Sequence, residues 1–233
     1  MPVEDRHSRN CELIIFDCDG VLVDSEIVVA KAYASSLSAA GIVISEEELL
    51  QRFVGVSDAD MYRTLEQETG ITLPADHDGL AQLVVRELFE KELQPLPGIH
   101  DLLGSLSTPV CVASSSTPSK LEFSLSLVNL YDCFAPNVFS STMVARGKPA
   151  PDLFLYAAEK MGSAPERCLV IEDSVAGVEA AVAAGMPVIG FTGASHCRAG
   201  HADELGSIGA MEVARSATEL EAIIDRISCR ASR

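Results

Sequence analysis

Two aspartates, Asp17 and Asp19, stand two positions apart at the end of an apolar run, in the stretch LIIFDCDGVLVDSE at 13–26. In an extended segment, residues i and i+2 point the same way. Two carboxylates on one side can share a cation, or divide the work of nucleophile and general acid. Gly20 follows directly and permits the sharp backbone departure that such a strand end needs. Asp and Gly are also common in ordinary strand-end turns, so the pair alone leaves both readings open.

Three further groups bear on the choice. The run VIED ends in Glu172 and Asp173 before a helical pattern. Alone, these acids read as a helix cap favouring the dipole. Beside Asp17 and Asp19 they suggest an oxygen-rich site for a hard dication, with Mg²⁺ the natural ion. The run VASSST at 112–117 carries Ser114 and Ser115 into a helix start. Free amides and hydroxyls there make an anion site, though a plain serine-rich loop has the same composition. Lys148, in RGKPAPDLF, is an ordinary solvated lysine if taken by itself. Next to a carboxylate cluster it would balance negative charge.

The elements that must position these residues follow from the hydrophobic pattern. LIIF (13–16), VCVAS (110–114), CLVIED (168–173) and PVIGF (187–191) are continuous apolar runs. Continuous runs suit a parallel sheet covered on both faces. Helical patterns lie between them, at 118–129 capped by Ser116 or Thr117, at 151–162, and at 174–185. Alternation of this kind predicts an α/β fold with a doubly wound, Rossmann-like parallel sheet. Residues 25–94 break the rhythm with four helical segments and no strand between them. They are expected to form a helical bundle inserted into the core domain, which comprises 1–24 and 95–233.

Composition narrows the partners. The 233 residues carry a formal net charge of −17, which repels phosphodiester backbones and argues against nucleic acid. Any anionic substrate needs local positive charge from a metal, a lysine or helix N-termini. The seven cysteines are odd in number and form no C-x-x-C pair, so they read as reduced thiols. The N-terminal MPVEDRHSRN has no apolar core for a signal peptide, and no apolar run reaches the roughly 18 residues of a membrane span. A cytoplasmic protein is expected, monomeric or a small homo-oligomer, with no membrane partner.

The four groups in this order resemble the haloacid dehalogenase superfamily, in its phosphatase-rich branch with a helical cap after the first strand. The resemblance rests on DCDGVLVDSE, VASSS, KPAPDLF and IEDSVAGVEAAVAAGM, and it covers nearly the whole chain. It is similar to the group holding sugar-phosphate phosphatases, phosphoglycolate phosphatases and β-phosphoglucomutase. The resemblance implies that Asp17 attacks phosphorus, forming an aspartyl-phosphate, and that Asp19 is the general acid and base. It implies Mg²⁺ on Asp17, Asp173, the Asp19 carbonyl and Glu172, with Ser114, Ser115 and Lys148 on the phosphoryl group. An aspartate at position 19 favours phosphate chemistry over dehalogenation, since halide leaves without a proton. The inserted helices would be a cap that closes over the site and excludes water. Its arginines Arg52, Arg63 and Arg86 are candidates for a substrate carboxylate or second phosphate. Solvated helix faces are the alternative for each.

The expected activity is Mg²⁺-dependent hydrolysis of a small phosphorylated metabolite, a sugar or sugar-acid phosphate. The alternatives are a hexose-phosphate mutase and an inactive binding protein on the same scaffold. Asp58 after GVS, Val29 in place of a hinge histidine, and Thr117-Pro118 after the serines depart from the mutase pattern. His196 and Cys197, after the last clear strand, have no partner spacing for a metal and are expected in a loop near the rim of the site.

Overall fold

The computed structural model describes residues 11–54 and 58–230. The decapeptide read for a signal and the GVS of the mutase comparison lie outside the described residues, as does the Cys229 side chain. The chain divides into two compact units, Met1–Val23 with Pro95–Arg233, and Asp24–Gln94. Among the described residues no helix is long and apolar enough to cross a membrane.

The larger unit is built on a six-stranded sheet, β1 (Leu13–Phe16), β2 (Val110–Ser114), β3 (Val138–Ser140), β4 (Cys168–Glu172), β5 (Val188–Phe191) and β6 (Glu212–Ala214). All neighbouring pairs are parallel, in the order β3-β2-β1-β4-β5-β6. That is the order of a doubly wound sheet, and its switch point falls between β1 and β4. Leu13 and Ile15 join one cluster with Leu153, Phe154 and Val178. Phe16 meets Phe134 edge-on, with ring centroids 6.0 Å apart. The continuous apolar run is therefore explained by helices on both faces.

The smaller unit holds four helices, α1 (Glu26–Ala39), α2 (Glu46–Phe53), α3 (Asp58–Thr69) and α4 (His77–Glu92). Ser45 caps α2 by accepting from the Glu48 amide, as its S-x-x-E pattern predicts. On α4, Ala81, Val85 and Phe89 are buried at four-residue spacing, and α1 packs on this helix and on α2.

The larger unit carries α5 (Ile99–Ser105), α6 (Pro118–Leu127), α7 (Tyr131–Phe134), α8 (Asp152–Met161), α9 (Val175–Ala183), α10 (His201–Ile208) and α11 (Ala217–Arg230). Thr117 caps α6 and Ser174 caps α9. Strands β3 and β6 are additions to the four strands read from sequence. Each is only three residues long, and β6 sits at an edge with Glu212 exposed. Runs that short carry no period to read.

Candidate active site

Register decides what meets at the carboxyl edge of the sheet. Phe16 pairs with Val112 on one side and Ile171 on the other. The residues that follow, Asp17, Ser114 and the Glu172–Asp173 pair, therefore leave three adjacent strands at the same edge. Ligands of doubly wound sheets bind there, beside the switch point.

Asp17, Glu172 and Asp173 are buried, and each offers an oxygen lying within 4.8 Å of the others. Lys148 comes from the loop before α8 and reaches into this cluster. Its Nζ donates to Asp17 Oδ1 at 2.7 Å and to Glu172 Oε1 at 2.5 Å. Its side chain is 5% exposed, and the Phe154 ring lies 5.0 Å away. The other Glu172 oxygen accepts from the amide and the hydroxyl of Ser174, both at 2.9 Å. With both oxygens engaged, Glu172 serves first to hold Lys148 against Asp17.

Two glycines make room for the acids. Gly20 has φ of 80°, and a Cβ on it would lie 1.8 Å from Asp173 Oδ2. A Cβ on Gly177 would lie 1.9 Å from the Glu172 carboxyl. Both places need a backbone with no side chain because a carboxylate already fills the space.

Burial pushes the Asp17 carboxyl well above the usual range; the Lys148 ammonium opposes this, and Glu172 and Asp173 add to the rise. Burial likewise raises Asp173, against a hydrogen bond from His196. Burial works against the Lys148 charge, but Asp17 and Glu172 outweigh it and its pKa rises. Burial works against a charge on His196, but its hydrogen bonds to Asp173 and Cys197 raise its pKa to about 10. Three buried acids thus face Lys148 and His196, and the acids still outnumber the cations, which favours a further cation. Carboxylate oxygens are the hard donors Mg²⁺ takes, so the residues present fit that ion.

Asp19 is held separately. Ser116 Oγ donates to its Oδ2 at 2.6 Å, and Lys120 Nζ lies 3.3 Å from its Oδ1. The serine loop is itself pinned from β3 and the turn after it. Ser140 Oγ donates to the Ser116 carbonyl at 2.7 Å and Ser141 Oγ to the Ser115 carbonyl at 2.8 Å. Ser114 Oγ accepts from the Ser116 amide at 3.1 Å.

Sequence reasoning had no role for Lys120, Ser140 or Ser141, and gave Ser116 only a possible capping one. Lys120 lies one turn into a helix that starts beside Asp19, a spacing that could have flagged it. Ser140 at the end of β3 and Ser141 after it had no such signal, since β3 itself was not legible. His196, expected at the rim, has its Nε2 3.2 Å from Asp173 Oδ2. The arginines of the smaller unit all face acids of that unit. Arg52 pairs with Glu48 and Glu68, Arg63 with Asp60, and Arg86 lies 3.8 Å from Glu90.

The haloacid dehalogenase-like hydrolase family model matches residues 11–185. Over 188 residues the chain is 36% identical to 6-phosphogluconate phosphatase of Escherichia coli K12, covering 79% of this chain and 84% of that protein. It is 30% identical over 181 residues to hexitol phosphatase A of the same organism, covering 77% and 82%. Among solved structures, a haloacid dehalogenase-like protein of unknown function from Agrobacterium tumefaciens C58 superposes with a TM-score of 0.85. It is 41% identical and covers 93% of this chain and 99% of that one. With this fold and this match along its length, the chain belongs to the haloacid dehalogenase-like hydrolases.

Proposed function

We propose that the protein is a Mg²⁺-dependent phosphatase acting on a small phosphorylated polyol, sugar or sugar acid. The observation that carries this is the buried Lys148 bridging Asp17 and Glu172 at the sheet edge, to which the neighbouring strand β2 brings a serine loop that can take phosphoryl oxygens. The named activities of the two Escherichia coli relatives support the substrate class.

In this reading an Asp17 oxygen attacks phosphorus, and the bond from phosphorus to the leaving oxygen breaks. Asp19, held by Ser116 and Lys120, gives its proton to that oxygen. Asp19 then takes a proton from water as the water attacks phosphorus, and Asp17 is released as the carboxylate. Ser114, Ser115, the amides after them and Lys148 hold the phosphoryl oxygens throughout. Asp17, Asp173, the Asp19 carbonyl and Glu172 are the groups that would hold Mg²⁺. When bound, the ion supplies positive charge between an anionic nucleophile and an anionic substrate. Arg52, Arg63 and Arg86 stand as proposals for contacts to an anionic substrate tail. The six cysteines whose side chains are described are free, which supports a reducing, cytoplasmic setting.

The test is phosphate release from a panel of polyol phosphates, sugar phosphates, sugar-acid phosphates and phosphoglycolate, with Mg²⁺ and with EDTA. Release is expected with Mg²⁺ only. Asp17→Asn is expected to lower it by roughly 10⁴-fold or more, as for other lost nucleophiles. Release that survives either EDTA or Asp17→Asn sinks the mechanism. Isomerisation of a hexose phosphate without phosphate release replaces the phosphatase with a mutase.

A further inference from the structure

The segment 192–200, between β5 and α10, delivers more to the site than its sequence suggests. Strand β5 lies beside β4, with Gly190 opposite Glu172. The chain that leaves β5 therefore runs past Asp173. His196 Nε2 donates to Asp173 Oδ2 at 3.2 Å, and both side chains are more than nine-tenths buried. His201, the first residue of α10, donates from Nε2 to the Asp173 carbonyl at 2.6 Å. The other ring nitrogen of His201 lies 3.2 Å from Glu204 Oε2, which fixes the ring plane. The loop and the first residue of α10 thus grip Asp173 at its carboxylate and at its backbone.

A purely structural account of His196 is poor. Its Nδ1 is buried, and among the described residues no hydrogen-bond partner reaches it. An orphaned buried polar atom costs free energy. The ring also fills space beside Gly20, where an added Cβ would lie 3.0 Å from His196 Cε1. A side chain placed only to fill the core would be apolar there. What the imidazole provides is a donor at Nε2, 3.2 Å from Asp173 Oδ2, with the softer Cys197 Sγ at 3.8 Å. That is the arrangement by which outer-shell groups orient a metal ligand.

We propose that His196, assisted by His201, is a positioning residue that fixes Asp173 as a Mg²⁺ ligand, so that the loop after β5 sets the affinity for the ion. The inference rests on the phosphatase reading of the same site. It predicts that removing the donor loosens Asp173 and weakens metal binding, while the chemical groups on Asp17 and Asp19 stay in place.

The experiment uses the full chain and two amides that differ in reach. In His196→Gln the side-chain Nε2 can stand where the ring Nε2 stands. In His196→Asn the amide is too short to reach Asp173 Oδ2. Mg²⁺ binding is measured by titration calorimetry without substrate, and the Mg²⁺ half-saturation of phosphate release is measured in parallel. Unfolding in EDTA is followed for each variant. His196→Asn is expected to raise both the Mg²⁺ Kd and the half-saturation by about 10–100-fold, the usual effect of losing an outer-shell partner. His196→Gln is expected to stay near the wild-type values, and the lost rate of His196→Asn to return at high Mg²⁺. An unchanged or tighter Mg²⁺ Kd in His196→Asn overturns the inference, as does an equal weakening in both variants. If wild type binds Mg²⁺ and releases phosphate while the variants match it, only this inference falls. If wild type binds no Mg²⁺, the phosphatase reading falls with it.

Discussion

Lys148 and Arg52 each bridge two carboxylates, and they sit in opposite surroundings. Lys148 joins Asp17 and Glu172 with 5% of its side chain exposed. Arg52 joins Glu48 and Glu68 on the smaller unit with 32% of its side chain exposed and both partners more open still. On paper the second bridge has the better fork, since a guanidinium offers several donors. Water reverses the ranking of consequence. An exposed pair trades its hydration for an attraction of similar size and is screened by salt. A buried cluster has no such exchange, so removing one member strands the rest. The sheet edge is therefore a region where each polar group depends on the others, and the helical unit one where ion pairs are close to interchangeable.

Lys148→Met, which keeps the stem and removes the charge, probes that dependence most severely. Asp17 and Glu172 lose a partner that both hydrogen-bond. The metal-free protein is expected to lose about 3–5 kcal/mol, measured by urea unfolding in EDTA. The pH dependence has a definite sign. Burial already raises the Asp17 carboxyl above its ordinary 3.8, and Lys148 pulls it down. Without Lys148 it rises further. A carboxyl with a higher pKa folded than unfolded stabilises the fold below the unfolded value and loses that contribution as pH climbs through the folded one. The deficit of Lys148→Met should therefore shrink toward pH 3.8 and widen above it. A variant as stable as wild type at neutral pH would mean that the cluster is not as dry as its geometry implies.

These surroundings also explain what the sequence could disclose. Asp17, Asp19, Glu172 and Asp173 end apolar runs that announce themselves as buried strands, and parallel strands that neighbour one another deliver their ends to one edge. Lys148 was legible only through the company of those acids, because a lysine before PAPD carries no burial signal of its own. His196 was legible as a loop residue but not as a partner of Asp173. That contact depends on β5 lying beside β4, which is a fact of sheet order and not of local pattern. Ser140 and Ser141 were hidden for a different reason. Ser140 ends and Ser141 follows a three-residue strand, too short to show a period, so nothing marked them as neighbours of the serine loop.

Gly177→Ala sets two local rules against each other at that edge. Gly177 lies inside α9, where alanine is the better helix former by about 0.5–1 kcal/mol. A Cβ there would also lie 1.9 Å from the Glu172 carboxyl, which Ser174 and Lys148 hold on either side. Overpacking of that sort costs about 1–3 kcal/mol. The expected net result is destabilisation, together with slower phosphate release as Glu172 is pushed off Lys148. Urea unfolding and the steady-state rate read the two effects separately. Net stabilisation would show that Glu172 can yield, and that the sheet edge is less constrained than the contrast with the helical unit suggests.

Arg52→Ala is the mildest perturbation and tests the other half of the contrast. Its guanidinium is raised in pKa by the hydrogen bonds it donates to Glu68 and then to Glu48, yet the group remains open to water. Loss of the side chain leaves two glutamates that solvent can rehydrate at once. The unfolding midpoint is expected to match wild type at about 0.15 M salt, where the Debye length is near 8 Å. Steady-state kinetics on a matched pair of substrates completes the test, one a polyol phosphate and one a sugar-acid phosphate. Equal KM values in variant and wild type for both leave Arg52 as part of a solvated helix face. A rise in KM confined to the sugar acid makes the side chain a receptor for the substrate carboxylate. In that case its pairing with Glu48 and Glu68 is a resting arrangement, one that a carboxylate ligand can displace because the pair is exposed, as no ligand could displace Glu172 from Lys148.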